Sequence, residues 1–384
     1  MKNFFEGAFG RYMVPAIIIQ STLIGGGYAT GREIVQYGAK YGAMGWLGGI
    51  GILLGFTVMA ILMFELARKY QAFEYRKLLK ELIGKYWFLF DIVYLLLAIL
   101  IIAIMASATG EILSSTLGFN YWVGVILITV IVGILNFYGK GLIERFKTFG
   151  TIALMLGYVL FAGLVIGTTW DDAVEVLSSG NTSYMPGNVS IFAVLWTGIL
   201  YVGYNLAVFP AALFAVKRQK SRKESVISGI IAGVLMTVPW FLTYFALMGF
   251  YPSEEVFGAS VPWLVMLQEF PTAVVVIFGI VVGWTLVETA SGMIHAFVDR
   301  MEAQIQEHSN NSLEGKHRGL IAIGTLVLAM ILSQVGIIDL ISTGYTAMAY
   351  AMIAVFAIPL LTIGVYKIFF KKDDEAASDE AQSS

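Results

Sequence analysis

Ten stretches of 18 to 31 residues run with very few charges along this chain, near 12–38, 44–66, 87–117, 121–138, 148–168, 189–216, 225–250, 271–299, 319–336 and 340–370. A membrane-crossing helix needs about 20 such residues. Lipid offers backbone amides no partner, so a chain of this kind must satisfy them internally, as helices. The expectation is an all-α integral membrane protein with ten transmembrane helices. Residues 1–370 are expected to form one transmembrane domain. The polar, charged end KKDDEAASDEAQSS at 371–384 has too little apolar area to offset ordering and is expected to be a disordered cytoplasmic tail. The loop around EHSNNSLEGKHRG should be mobile for the same reason.

Composition closes off other classes. Hydrophobic residues make up 58% and charged residues 13%, where a soluble domain carries roughly 45–50% and about 25%. The net charge is −2 with no basic patch away from the apolar flanks, so nucleic acid is not an expected partner. The absence of cysteine rules out disulfides, thiolate metal sites and cysteine nucleophiles. The first apolar stretch runs past the length of a signal-peptide core and is read as a retained span.

Sidedness follows from the loops. With the amino terminus cytoplasmic, all but Arg32 and Lys40 of the 24 Lys and Arg residues fall in inner connections. The outer connections hold Asp171, Asp172, Glu175, Glu254, Glu255 and Glu269. This bias predicts a multi-pass protein of the plasma or inner membrane with both termini cytoplasmic.

Two segments contradict their own helicity. Segment one reads IIIQSTLIGGGYATGREIVQYG, with Gly25, Gly26, Gly27 and Gly31 amid Gln20, Ser21, Thr22 and Thr30. Each interior glycine costs roughly 1 kcal/mol relative to alanine. Segment six reads LWTGILYVGYNLAVFPAALF, with Gly198 and Gly203 before Tyr204 and Asn205, and Pro210 removing a donor beyond them. Irregular backbone at membrane depth belongs where protein buries it or a wet cavity lies beside it, so the two predicted breaks imply a shared interior site. They open two halves of five segments each, about 11–168 and 189–370, and an odd count makes any repeat inverted. Close packing is the competing use of glycine, and it is the preferred reading for Gly48, Gly49, Gly51 and Gly55.

This layout, over about 11–370, resembles the LeuT-type fold of the amino acid, polyamine and organocation transporter superfamily. More narrowly, STLIGGGYATGREI followed by YVGYNLAVFP resembles the uncharacterised bacterial membrane proteins of the YkvI family, which brings no substrate with it. The LeuT-type resemblance implies a 5+5 inverted repeat with helices 1 and 6 discontinuous. It also implies a substrate site between those helices and against the third and eighth, at Gly25, Gly26, Gly27, Tyr204 and Asn205. Segments one, two, six and seven would rock against a scaffold that includes three, four, eight and nine.

At a helix break, freed amides favour an anion and freed carbonyls a cation, which suits a zwitterion such as an amino acid. In segment eight, GWTLVETASGMIHAF places Thr285, Glu288, Thr289 and Gly292 on one helical face. An acid in mid-membrane normally meets a cavity, a partner or a cation, so Glu288 is a candidate for both substrate binding and ion coupling, with Thr285 and Thr289 beside it. A structural glutamate bonded to a neighbouring helix is the plainer alternative. Thr289 resembles the hydroxyl that completes a sodium site in LeuT-like transporters, but the usual adjacent Thr–Ser pair is replaced by Thr289, Ala290 and Ser291. A proton on Glu288 therefore competes with a sodium ion near Thr289, the one cofactor considered. The resemblance also suggests an outer gate of Arg32 and Asp339, against which stand local pairing of Arg32 with Glu33 and simple hydration. Glu111, Thr109, Asn136, His295, Trp196 and Tyr201 carry weaker signals and read equally well as packing.

The reading is a secondary active transporter, not an enzyme: sodium- or proton-coupled symport of a small amine-bearing solute, an amino acid first among them, by alternating access. No GK[ST] phosphate loop, HExxH or GxSxG motif is present. A channel, or a solute sensor that kept the fold without transport, is the alternative. Substrate identity, coupling ion and oligomeric state are not written in the sequence.

Overall fold

The computed structural model describes residues 7–138, 140–309 and 315–371; the tail from 372 onward and residues 310–314 of the polar loop lie outside the described residues. Every regular element among them is helical. Segment one comprises α1 (Val14–Leu23), α2 (Gly26–Ala29) and α3 (Arg32–Tyr37). The chain continues through α4 (Gly45–Lys69), α5 (Tyr75–Ile83), α6 (Phe88–Leu117), α7 (Tyr121–Tyr138), α8 (Lys140–Ser179) and α9 (Ile191–Asn205). It ends with α10 (Arg222–Met248), α11 (Thr272–Ser309), α12 (Gly315–Leu332) and α13 (Ile337–Phe369). Eight helices are long and apolar enough to cross a membrane, and two shorter apolar helices, Val14–Leu23 and Tyr121–Asn136, fall on the remaining expected segments. Large apolar side chains such as Leu54, Leu160 and Ile280 stay exposed on the outside of the bundle, as a lipid-facing belt requires.

Helix contacts sort the bundle into two groups. In one, α4 packs on α9 and α10, and α10 on α1; in the other, α6 packs on α7, α11 and α12. The glycines of α4 serve the first group by close approach. A methyl on Gly49 would overlap Phe241 and Trp240, one on Gly55 would press on Val202, and one on Gly198 would meet the Gly48 carbonyl. Small residues let membrane helices approach to this distance and gain dispersion contacts.

The loops gather at two faces. At the basic face Arg11 pairs with Glu224 at 2.8 Å, Lys367 with Glu81 at 2.6 Å, and Lys69 Nζ donates to the carbonyl of Lys371 at 3.0 Å. At the opposite face the Ala43 amide donates to the Asn181 carbonyl at 2.8 Å and the Tyr184 amide to Tyr251 Oη at 2.9 Å. The amphipathic α5 lies at the basic face, with Leu78, Leu79 and Leu82 buried and Lys77 and Lys80 on its polar side. From its charges alone this stretch reads as a plain basic connection. Helix α8 runs past the expected end at 168, through a kink at Thr169 where the hydroxyl bonds back to the Val165 carbonyl at 2.9 Å.

Segment one breaks where the glycines predict. Ile24 (φ −79°, ψ 83°) leaves the helix in a tight turn, with the Gly25 amide donating to the Leu23 carbonyl at 2.9 Å, and Gly25 (φ −111°, ψ −166°) is extended. A second departure occurs at Gly31, whose φ of +81° is left-handed and strained for any residue with a Cβ. The interruption in segment six is of a milder kind, since its α-helix stops at Asn205. From Leu206 to Ala212 it narrows to a 3₁₀ stretch containing Pro210 and then resumes as helix to Val216. Gly198 and Gly203 sit inside α9 and are used for packing, the latter against Ile353 and the Ala349 carbonyl, so neither opens the backbone. Seven residues of 3₁₀ is long for this conformation and marks a bend. In α13 the winding loosens instead, with π-helical turns at Leu340–Tyr345, Ile353–Ala357 and Leu360–Gly364.

Candidate functional site

The break in segment one turns Glu33 into the interior. Gly31 redirects the chain between α2 and α3, and the first turn of α3 then carries Arg32 and Glu33, 7% and 5% exposed. The two side chains part company. Arg32 points to the loop at the opposite face, where its Nη1 donates to the carbonyls of Phe257 at 2.5 Å and Ala259 at 3.2 Å. Glu33 points inward, and its Oε2 accepts a 2.7 Å hydrogen bond from the Tyr204 hydroxyl on α9. The other oxygen lies over Gly27, so close that a methyl there would overlap it. A missing side chain on α2 thus makes room for a carboxyl from α3.

Aromatic rings enclose this carboxyl. Tyr345 from α13 stacks on Tyr204 with centroids 4.4 Å apart, and Tyr37 and Tyr201 each lie within 6 Å of Tyr204, at 5.6 Å. Tyr345 closes the first π turn of α13, whose widened winding leaves the Ile341 carbonyl to accept from the Tyr37 hydroxyl at 3.1 Å. On the far side Tyr28 packs on Tyr158, and Tyr158 on Trp263, at 5.7 and 5.4 Å. The Tyr158 hydroxyl accepts from Trp263 Nε1 at 3.2 Å. The hydroxyl of Tyr201, fully buried, has no hydrogen-bond partner among the described residues, and that of Tyr28, with Thr243 beside it, makes no hydrogen bond of good geometry.

Beneath these rings lies a cavity of about 50 Å³, walled by Gly25, Gly27, Glu33, Tyr204, Asn205 and Tyr345 among others. It shares Thr22, Tyr94 and Met293 with two larger spaces of about 260 and 430 Å³. The larger reaches Tyr75, Arg76 and Arg300 at the basic face. Toward the opposite face the route is filled by Tyr158, Trp263 and the Arg32 contacts with Phe257 and Ala259. The interior is therefore open on one side and plugged on the other.

The segment-eight stripe lies lower, on the route to the basic face. Thr285, Glu288, Thr289 and Gly292 line the 260 Å³ space together with Ser21, Thr22 and Gly25. Thr289 is packed so tightly under the break that a Cβ on Gly25 would stand 3.0 Å from its hydroxyl oxygen. Thr285 spends its hydroxyl on the Val281 carbonyl at 2.8 Å, and Ser291, wholly buried, makes no hydrogen bond among the described residues. Asn205 lines the central cavity and donates to the Tyr201 carbonyl at 2.8 Å. Gly26 is the first residue of α2. Arg32 and Asp339 are not brought together: Asp339 is exposed, and among the described residues no ion pair joins them.

Glu33, Tyr28, Tyr94 and Tyr345 were not singled out by the sequence reading. Glu33 follows Arg32 directly and looks like half of a local pair. The signal that could have found it is the one that found Glu288, an acid inside an apolar segment.

No protein-family model matches the chain. It is 23% identical over 359 residues, 91% of this chain and 95% of the other, to the uncharacterized membrane protein YkvI of Bacillus subtilis (strain 168). Among solved structures it is similar to MhsT in complex with L-phenylalanine, with a TM-score of 0.63 and 14% identity over 97% of this chain and 91% of that one. A substrate-bound Na+-coupled sialic acid symporter in an outward-open state gives a TM-score of 0.60 and 14% identity, over 94% and 81%. At these identities the likeness speaks for the fold alone. The chain is an all-helical, multi-pass membrane protein with the LeuT-like fold that ion-coupled secondary transporters share.

Proposed function

We propose that this chain is an ion-coupled secondary active transporter that carries a small amine-bearing solute across the membrane by alternating access. One observation carries the reading. A broken helix and a bent one meet over a buried carboxyl, in a cavity that opens to one face and is plugged toward the other. Such a site serves transport only if the plug and the opening exchange sides, which is what rocking of α1, α4, α9 and α10 against α6, α7, α11 and α12 would do. On this reading the ten apolar segments all span, as two inverted sets of five. The basic face is cytoplasmic by the distribution of Lys and Arg, so the state described is inward-facing.

Substrate contacts are assigned to Gly25, Gly26, Gly27, Tyr204 and Asn205, to which Glu33 is added. Ion coupling is assigned to Glu288, Thr285 and Thr289, which lie just below the substrate site on the cytoplasmic route. Hydroxyls and carbonyls there suit a sodium ion, and the carboxyl suits a proton. Arg32 keeps a gating role through the carbonyls of Phe257 and Ala259.

The test is reconstitution into proteoliposomes, with labelled amino acids and simple amines offered under imposed sodium or proton gradients. Accumulation that follows one gradient and collapses with an ionophore is expected; passive equilibration alone would indicate a channel, and binding without flux a sensor. Glu288→Gln should leave folding intact and reduce gradient-driven accumulation at least tenfold, while unchanged uptake with an unchanged pH response would remove Glu288 from the coupling site.

A further inference from the structure

The walls of the central cavity, among the described residues, hold a carboxyl and no cationic side chain. Glu33 is the single ionisable acid among them, and no Lys, Arg or His takes part. Two arginines of the neighbouring elements, Arg32 and Arg300, are engaged elsewhere. Arg32 is turned away onto the Phe257 and Ala259 carbonyls, and Arg300 is bound to Asp91, with its Cζ 3.7 Å from the Tyr94 ring centroid. Asp91 also accepts from Gln304 Nε2 at 2.8 Å. A carboxylate guest would find neither cation available. Amides at the start of α2 offer little in exchange, because four residues sum to a small dipole.

A cationic guest finds the opposite. It meets a carboxyl fixed by Tyr204 and a wall that includes the rings of Tyr204, Tyr345 and Tyr28. Aromatic faces around an ammonium attract it through the ring quadrupole, most strongly where water is excluded. The volume of about 50 Å³ admits an ammonium head and a carbon or two, with any longer chain pointing down toward Thr22 and Met293.

We infer that Glu33 and its tyrosine enclosure bind the ammonium head of a small organic amine that bears no carboxylate, and that the cavity discriminates against amino acids. This deepens the transporter reading, on which it rests for the identity of the site. It replaces the zwitterion with a monovalent organic cation.

Matched pairs test it. Ethylamine is alanine without its carboxylate, and methylamine is glycine without it. Equilibrium binding of the four labelled compounds to the purified full chain should show each amine binding at least ~10-fold more tightly than its amino acid, the scale of one charge-assisted contact. Glu33→Gln should lose at least ~10-fold in amine binding and Glu33→Asp less, with melting temperatures confirming that both are folded. Should Glu33→Gln not fold, Tyr345→Leu gives a second reading, since it leaves the carboxyl but removes one ring face and should weaken amine binding several-fold. Alanine or glycine binding as well as its amine, amine binding unaffected by Glu33→Gln, or no binding by either amine would each overturn the inference. The two readings fail differently: gradient-driven alanine uptake insensitive to Glu33→Gln would sink this one and leave the transporter standing. Glu33-dependent ethylamine binding with no flux under any gradient would do the reverse.

Discussion

In segment one the backbone leaves the helix twice, at Ile24–Gly25 and again at Gly31, whereas segment six keeps a helical path from Ile191 to Val216 and only tightens between Leu206 and Ala212. Both segments carry glycines and polar residues in mid-membrane, so the difference lies in where those glycines sit. Gly25, Gly26 and Gly27 are consecutive, and together they cost a helix about 3 kcal/mol relative to alanine, which makes departure cheap. Gly198 and Gly203 are spaced along α9 and pressed against Gly48, Ile353 and Ala349, where packing repays the same penalty. The open segment contributes the acid and the closed one the hydroxyl that binds it. The two segments are joined by the hydrogen bond from Tyr204 to Glu33.

The most damaging way to break this contrast is to fill the gap in segment one. Gly27→Ala would drive a methyl into Glu33 Oε1, and the carboxyl has rings on its other sides. We expect loss of measurable amine binding, with a melting temperature lowered by several degrees, as for overpacking of about 1–3 kcal/mol. Gly203→Ala in segment six meets the flexible end of Ile353 and the Ala349 carbonyl at 3.0 and 3.1 Å, so it should cost stability but spare binding. Equal loss of binding in both variants would erase the distinction.

The next effect is smaller and sharpens the contact itself. Tyr204→Phe removes the hydroxyl that fixes Glu33 and leaves the stacking with Tyr345 in place. A hydrogen bond to a buried carboxyl is worth about 1–3 kcal/mol, so amine affinity should fall about 5- to 100-fold. Tyr37→Phe, which breaks bonds to Ile341 and Thr346 and none to Glu33, is the control and should change affinity far less.

The same contrast explains what could be read from residues alone. The break in segment one was legible because glycine acts locally, through its own backbone freedom. The winding of segment six was not, because whether Gly203 opens or packs depends on Ile353, some 150 positions away. The ten apolar stretches announced themselves by length, but the π turns of α13 depend on how it is held against α6 and α9 and left no trace in composition. Glu288 drew notice because no charge flanks it. Glu33 was hidden by Arg32, although successive side chains of a helix do not share a face and α3 sends these two to different places. Arg32 and Asp339 show the converse, since the LeuT-type resemblance suggests a pair and the fold gives Arg32 the carbonyls of Phe257 and Ala259.

The mildest intervention bears on whether the bend in segment six is required at all. Pro210 lacks the amide that would continue an α-helical ladder, and it lies on the wall of the 430 Å³ space at the basic face. Pro210→Ala restores that amide and removes the ring, so local preference turns toward α-helix. The neighbours of the stretch are nonetheless packed: Leu206, Ala207, Phe209 and Ala212 are all buried, and Phe209 lies 6.1 Å from the Phe56 ring. Rewinding to α would rotate those side chains out of their contacts, a loss comparable with the gain. The two terms nearly cancel, and the expected result is a melting temperature within a few degrees of the parent, with amine affinity and transport within about threefold, as for a substitution that moves stability by less than ~1 kcal/mol. If instead Pro210→Ala abolished transport as thoroughly as Gly27→Ala, segment six would be a hinge in its own right.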